Sequence, residues 1–378
     1  MGLVTGLRVM LLNVDVGAGH RRAGEALCQA LGGLRPGSTF RTVEALEHLG
    51  PGAGKLARDI YLGMQQELPG LWGAIYEQRG LFQLLRPLGE LADDLRVELG
   101  LLPEALRFNP QLLVATHPLA CGLGAGLRRS REIDAPLVAV LTDLDGHPAW
   151  VAEGIDLYLA PTAAAAADLR ARGAARGAVV ETGIPLREAF SGERDRLALR
   201  EPLGLERGRL TLLLLGGGLG LGPIIETARA LCALQGPVQV VLIAGSNREL
   251  EEQARALARD AALPVTVTGH VENIADYMAT ADLVLSKPGG LTCAELLALG
   301  RPLVALRPLA GQEEANCAVL VREGAAVRAD DARAAHLAVE ELLRRPADLQ
   351  RMEQAAARLG RPGAAKAAAR EIIARLAS

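Results

Sequence analysis

The chain has 378 residues, half of them hydrophobic, 22% charged and only 3% aromatic, with a net charge of −3. That length fits two ordinary domains, and the composition is that of a folded globular chain. The near-neutral balance without a basic tract excludes a nucleic-acid binder, and five scattered cysteines with no CxxC pair exclude a disulfide framework.

Apolar runs recur along the chain, each followed by a glycine-rich turn and a helical pattern, as strands buried on both faces of a parallel sheet require. Residues 8–14 lead into GAGH, residues 112–116 into HPLACGLGAG, and residues 136–141 into TDLDGHPAW. A short strand at 157–160 precedes an alanine-rich helix. After a charged, proline-containing stretch the pattern restarts. Residues 210–215 enter a glycine run, 238–244 precede GSNREL, 265–268 precede GHVENIADYM, and 283–286 precede KPGGLTCAEL. Two βαβ arrays joined near residue 190 predict an α/β chain of two doubly wound, Rossmann-like domains facing each other across a cleft. The expected division is 1–190, 191–363 and a final helix over 364–378. No signal peptide is expected, because no cationic segment and apolar core precede the first strand. The most apolar run, 210–225, is broken by glycines and a proline and is too short to cross a bilayer.

The candidate site residues all sit where strands end. In GGGLGLGP (216–223) glycines let the backbone approach a phosphate at a helix N-terminus, or serve only as a tight turn. The run matches neither a dinucleotide fingerprint nor a Walker loop. In SKPGGLTCAE (286–295) two glycines turn the chain, and Thr292 and Glu295 are spaced either as a capping box or as part of a diphosphate and ribose site. Lys287 is one of only three lysines in an arginine-dominated chain. One βα unit later, Gln312, Glu313 and Asn316 supply amide and carboxylate groups suited to sugar hydroxyls. In GAGHRRAGE, Gly19 and His20 open the first helix, where a helix dipole keeps an imidazole neutral and able to take a proton. TDLDGHPAW offers Asp143, His147 and Trp150; its DxD string could hold a metal, and its indole could face a sugar or a glycerol or pack in the core. The segment 55–87, rich in apolar and aromatic residues with Lys55, Arg58, Arg79 and Arg86 among them, reads either as a bilayer-interface element or as a core helix pair.

Taken in order, GAGHRRAGEA, TDLDGHPAW, TGIPLREAF, LLLLGGGLGLGPI, GHVENIADYM, SKPGGLTCAELLALGRPLV and GQEEAN resemble glycosyltransferase family 28, nearest its monogalactosyldiacylglycerol synthases and processive diacylglycerol glucosyltransferases. The resemblance implies the GT-B fold, with the acceptor on the first domain, a UDP-sugar on the second and the last helix returning to the first. It implies that His20 is the general base and that Gly217, Gly218 and Gly220 meet the diphosphate. Val271 would contact uracil, and Ser286, Lys287, Gly289, Gly290, Thr292 and Glu295 would hold diphosphate and ribose. Gln312, Glu313 and Asn316 would address the sugar, and Gly19, Asp143, His147 and Trp150 the acceptor. The implied reaction is inverting transfer of a hexose to a lipid such as diacylglycerol, with no cofactor and no metal. The alternatives are a UDP-N-acetylglucosamine-dependent transferase acting on a polyprenyl-linked acceptor, or a UDP-sugar epimerase. The expected setting is the cytoplasm, at the inner face of the cell membrane if a lipid is the acceptor. Two departures stand out: the stretch after Trp150 lacks the basic or histidine residue common in the family, and aspartates occupy 143 and 145.

Overall fold

The computed structural model describes residues 6–14, 18–49, 63, 97–192, 194–216 and 223–377. The glycines at 217, 218 and 220, and all of the 55–87 segment except residue 63, lie outside the described residues. The chain divides into two compact units: Met1–Arg187 with Leu309–Gln312 and Gly363–Ser378, and Glu188–Pro308 with Glu313–Pro362.

The first unit contains β1 (Arg8–Asn13), β2 (Thr39–Glu44), β3 (Leu112–Ala115), β4 (Leu137–Val140), β5 (Leu157–Ala160) and β6 (Val179–Glu181). Among the described residues they form one six-stranded sheet in the order β2-β1-β3-β4-β5-β6, parallel at every pairing. Its helices are α1 (Ala18–Leu34), α2 (Leu102–Phe108), α3 (Pro118–Arg129) and α4 (Ala163–Ala171). Strands β3, β4 and β5 are buried at every position, which explains their unbroken apolar sequence. One sheet face packs Leu12, Leu113 and Leu137 with Leu123 and Leu127 of α3. The opposite face packs Val9, Leu11, Val114 and Val138 under Leu27 and Leu31 of α1 and under Ala368, Ala369 and Ile372 of the last helix, Ala364–Leu376. Burying each of those leucines and the isoleucine is worth about 1.5–3 kcal/mol. The last helix therefore belongs to the first unit.

The second unit repeats the plan with β7 (Leu210–Leu215), β8 (Val238–Ile243), β9 (Val265–Thr268), β10 (Leu283–Ser286), β11 (Leu303–Leu306) and β12 (Ala326–Ala329). Among the described residues its sheet order is β12-β11-β10-β7-β8-β9. The helices are α5 (Arg196–Arg200), α6 (Ile224–Leu231), α7 (Arg248–Asp260), α8 (Ile274–Thr280), α9 (Gly290–Ala298), α10 (Gln312–Arg322), α11 (Ala332–Arg344) and α12 (Pro346–Leu359). Asp282, just before β10, gathers the entry to this unit: it accepts from Arg196 at 2.7 Å, from Arg200 at 2.8 Å and from the Thr211 backbone N–H at 2.7 Å. Burial and the charge of Arg196 push the Arg301 guanidinium down to about 10, against the pull of Glu353 and Asp282.

Each half is thus a doubly wound α/β sheet, as expected. Three strands go beyond the sequence reading: β2, β6 and β12. All three lie at sheet edges, where one side of the strand has no neighbour, so none carries the continuous apolar run that marks the inner strands. Among the described residues no helix is long and apolar enough to cross a membrane.

Both strand orders contain one reversal. In the first sheet it falls between β1 and β3, in the second between β7 and β10. Helices leave such a pair toward opposite faces, opening a crevice beyond the carboxyl ends of the two strands, which is where ligands bind in open α/β sheets.

Candidate active site

At the first reversal the side chains are polar and buried. Asn13 ends β1 and is 2% exposed; its Nδ2 donates to Glu44 Oε2 at 3.0 Å, while its Oδ1 has no hydrogen-bond partner among the described residues. Thr116, immediately after β3, is fully buried, and its hydroxyl is likewise without a partner among the described residues. Unsatisfied buried polar atoms are rare in folded proteins, so two on adjacent strand ends mark this edge as unusual.

Helix α1 lies close over the edge. A Cβ at Gly24 would sit 2.7 Å from the Leu11 methyls, so a side chain there would displace Leu11 from beneath α1. The approach carries His20, in the first turn, over the end of β3. His20 Nδ1 lies 2.9 Å from the Thr116 carbonyl oxygen and 2.8 Å from Thr142 Oγ1. A carbonyl oxygen only accepts, so Nδ1 carries the hydrogen and Nε2 carries the lone pair. A lone pair on Nε2 is what a general base needs.

His117 meets the His20 ring edge-on, with centroids 4.8 Å apart and planes at 85°. Its Nδ1 accepts from the Leu119 N–H at 3.1 Å, capping α3, with Pro118 at the first helical position. Burial, reinforced by the neighbouring His20, holds His117 well below the usual histidine value of 6.5. His20 is also held below 6.5; burial is the main cause, opposed by the Asp143 carboxylate and by the bond to the Thr116 carbonyl. The helix dipole invoked from sequence is therefore not needed to keep this imidazole neutral.

Asp143 is half-buried, near enough to act on His20 by charge. Gly19 adjoins His20 in α1. His147 is 2% exposed and accepts from the Ala149 N–H at 3.2 Å, capping the short turn Pro148–Trp150. Of the two readings of Trp150, packing holds: it is 1% exposed within the core cluster of β1, β3 and α3. Among the described residues no group of three or more His, Cys, Asp or Glu side chains is placed to hold a metal ion.

The second reversal has a different make-up. Gly216, just beyond β7, donates its N–H to the Ile243 carbonyl. Ser286, the last residue of β10, is buried, and Lys287 after it is half-buried. Helix α9 begins at Gly290, one turn earlier than the capping-box reading requires, with Gly289 at the N-cap and no side-chain cap. Thr292 thus lies inside the first turn and Glu295, 5% exposed, in the second, so the capping box is absent. The physical reason is the glycine pair: Gly289 leaves open space where a side chain would stand, and as the N-cap it brings no side-chain oxygen to the first amides of α9. Such an end attracts anions.

Gln312 and Glu313 are half-buried at the head of α10. The chain reaches them through two left-handed residues, Arg307 (φ 38°) and Gly311 (φ 94°). Asn316 is fully buried, and its Nδ2 donates to the Pro288 carbonyl at 3.1 Å, fastening α10 to the turn before α9. Val271 is half-buried in the loop after β9.

The sequence reading thus reached His20 and Asp143 but passed over Asn13, Glu44, Thr116, His117 and Thr142. A signal was present. Thr-His-Pro at 116–118 follows an apolar strand directly, and a histidine before proline recurs at 147–148.

Residues 20–186 match the sequence model described as monogalactosyldiacylglycerol (MGDG) synthase, and residues 211–375 match the glycosyltransferase family 28 C-terminal domain. Over 241 residues the chain is 31% identical to the probable monogalactosyldiacylglycerol synthase 2, chloroplastic, of Oryza sativa subsp. japonica, covering 61% of this chain and 51% of that protein. It is 28% identical over 255 residues to the processive diacylglycerol beta-glucosyltransferase of Bacillus mycoides, covering 67% and 65%. The chain thus spans about half the length of the plant relative. Among solved structures, Acinetobacter baumannii MurG aligns over 97% of this chain and 99% of its own, with a TM-score of 0.64 at 16% identity. Anabaena HepE in complex with UDP and glucose aligns over 98% and 100%, with a TM-score of 0.56 at 15% identity. At such identities the likeness concerns the fold, which is GT-B.

Proposed function

Because the chain belongs to glycosyltransferase family 28, we propose that it transfers a hexose from a UDP-sugar to the hydroxyl of a lipid acceptor such as diacylglycerol, with inversion at the anomeric carbon. The observation that carries this reading is the 2.9 Å contact between His20 Nδ1 and the Thr116 carbonyl. Nδ1 is committed to the Thr116 carbonyl, which leaves the Nε2 lone pair for an acceptor hydroxyl. The acceptor O–H proton passes to Nε2 as the oxygen attacks the anomeric carbon. The bond from that carbon to the β-phosphate oxygen breaks, UDP leaves with the electron pair, and an α-linked donor gives a β-glycoside. The Asp143 charge favours the imidazolium that forms.

On the second unit, the uncapped start of α9 and Lys287 suit the diphosphate, and buried Glu295 suits the ribose hydroxyls. Gln312 and Glu313 suit the sugar, and Val271 the uracil. Asn316 supports this edge by holding α10 against the turn at Pro288. Helix dipoles and main-chain amides offset the leaving charge in this scheme, without a metal. The names of the relatives, glycolipid synthases from plants and bacteria, support a lipid acceptor.

The test is incubation of the purified protein with diacylglycerol vesicles and labelled UDP-glucose, UDP-galactose or UDP-N-acetylglucosamine, followed by lipid extraction. Label in the lipid fraction from at least one donor is expected. Label in none, or interconversion of free UDP-sugars without any acceptor, would overturn the proposal.

A further inference from the structure

We propose that Thr142 is a positioning residue for His20: its hydroxyl and the Thr116 carbonyl together hold the imidazole with the hydrogen on Nδ1 and the lone pair on Nε2. The inference rests on the reading of His20 as the base. Three distances carry it. His20 Nδ1 is 2.9 Å from Thr116 O and 2.8 Å from Thr142 Oγ1, and Thr142 Oγ1 donates to the same Thr116 O at 3.2 Å.

A threonine hydroxyl has one hydrogen and two lone pairs, so by itself it is indifferent to tautomer. Here its hydrogen is already directed to the Thr116 carbonyl, leaving only lone pairs to face the ring. Two acceptors therefore converge on Nδ1. The opposite tautomer would set the Nδ1 lone pair against a carbonyl lone pair at 2.9 Å, and Thr142 could relieve the clash only by abandoning its own bond. Thr142 is 3% exposed and Thr116 fully buried, so water does not compete for these positions. Both acceptors are neutral. Asp143, the next residue along the chain, acts on the ring by charge while Thr142 acts by geometry.

This division also accounts for why Thr142 stands just beyond β4. The strand stops at Val140, two residues earlier, and the chain then brings the hydroxyl to the end of β3 instead of continuing the ladder. A threonine serving only to stitch β4 to β3 would need its bond to Thr116 and nothing at the imidazole.

The experiment compares wild type with Thr142→Val, which keeps the shape and removes the hydroxyl, and Thr142→Ser, which keeps the hydroxyl. Nitrogen-15 NMR of histidine-labelled protein at neutral pH, with the His20 signals assigned through His20→Gln, reads the tautomer without reference to activity. Wild type should show Nδ1 protonated and Nε2 unprotonated. Thr142→Val should show a mixed population, and its kcat should fall roughly 10–100-fold, the effect usual when the outer partner of a functional histidine is lost. KM for the UDP-sugar should stay unchanged, and Thr142→Ser should restore kcat to within about threefold. A wild-type His20 protonated on Nε2 overturns the proposal, as does Thr142→Val with unaltered tautomer and kcat. Should Thr142→Val fail to fold, the wild-type spectrum and Thr142→Ser still decide. If wild type labels no lipid, the transferase reading fails, and the NMR result judges Thr142 separately.

Discussion

The carboxyl edges of the two sheets share a topology and differ in material. At the β1/β3 edge the working groups are side chains with fixed hydrogen-bond roles: His20, Thr142, His117 and Asn13, nearly all buried. At the β10 edge the feature is backbone, a glycine pair opening α9 with no side-chain cap. Moving a proton requires one atom at one place, which a ring locked by two acceptors provides. Holding a diphosphate requires close approach to several amides, which the removal of side chains provides.

Substitutions at the two edges should therefore fail in different ways. The largest effect belongs to His20→Ala, which should lower turnover by ~10²–10⁴ while leaving UDP affinity measured by calorimetry unchanged. Equal loss of both would erase the distinction between the edges. Glu295→Gln should do the reverse: weaken UDP binding by about 10–100-fold through loss of a charged hydrogen bond, with kcat at saturation largely kept. Gly289→Ala is a finer probe. Open space surrounds the added methyl, so stability should move by no more than about 0.5 kcal/mol in urea melts. Obstruction of the helix end should still cost several-fold in UDP affinity; unchanged affinity would show that the glycine only turns the chain.

The smallest effect concerns pH. As the proposed base, His20 must be neutral to act, so activity should fall on the acid side as it gains a proton, at a pH below 6.5. The Asp143 charge raises that value, so Asp143→Asn should move the acid limb to still lower pH in a pH–rate profile. Stability follows the same sign. His20 and His117 are both held below 6.5 in the folded chain, so the unfolded chain binds protons more readily. Folding stability is then full above 6.5 and declines as the pH falls below it. Urea melts between neutral and mildly acidic pH check this; a stability independent of pH across that range would contradict it.

Much of the fold was legible because the inner strands are buried on both faces and therefore read as continuous apolar runs. The edge strands β2, β6 and β12 escaped for the opposite reason, since TFRTVE and AVRA alternate or mix polar residues. At the site, His20 announced itself after a strand and a glycine turn. Its partners did not, because Thr116 and Thr142 lie 96 and 122 residues away in sequence and meet it only through sheet order. The start of α9 was misplaced for a local reason: Thr292 and Glu295 have capping-box spacing, and nothing in the sequence alone shows that Gly289 ends the loop first.

The placement of the helix Ala364–Leu376 bears on how the protein is made. The face of the first sheet formed by Val9, Leu11 and Val114 is completed by Ala368, Ala369 and Ile372, which follow every described strand of the second unit in the chain. The described strands of the second unit are thus all synthesised before this face of the first unit can be completed. A chain released at residue 362 would carry a sheet with part of one apolar face uncovered. During synthesis, the half that holds His20 waits for a helix made after the other half's sheet.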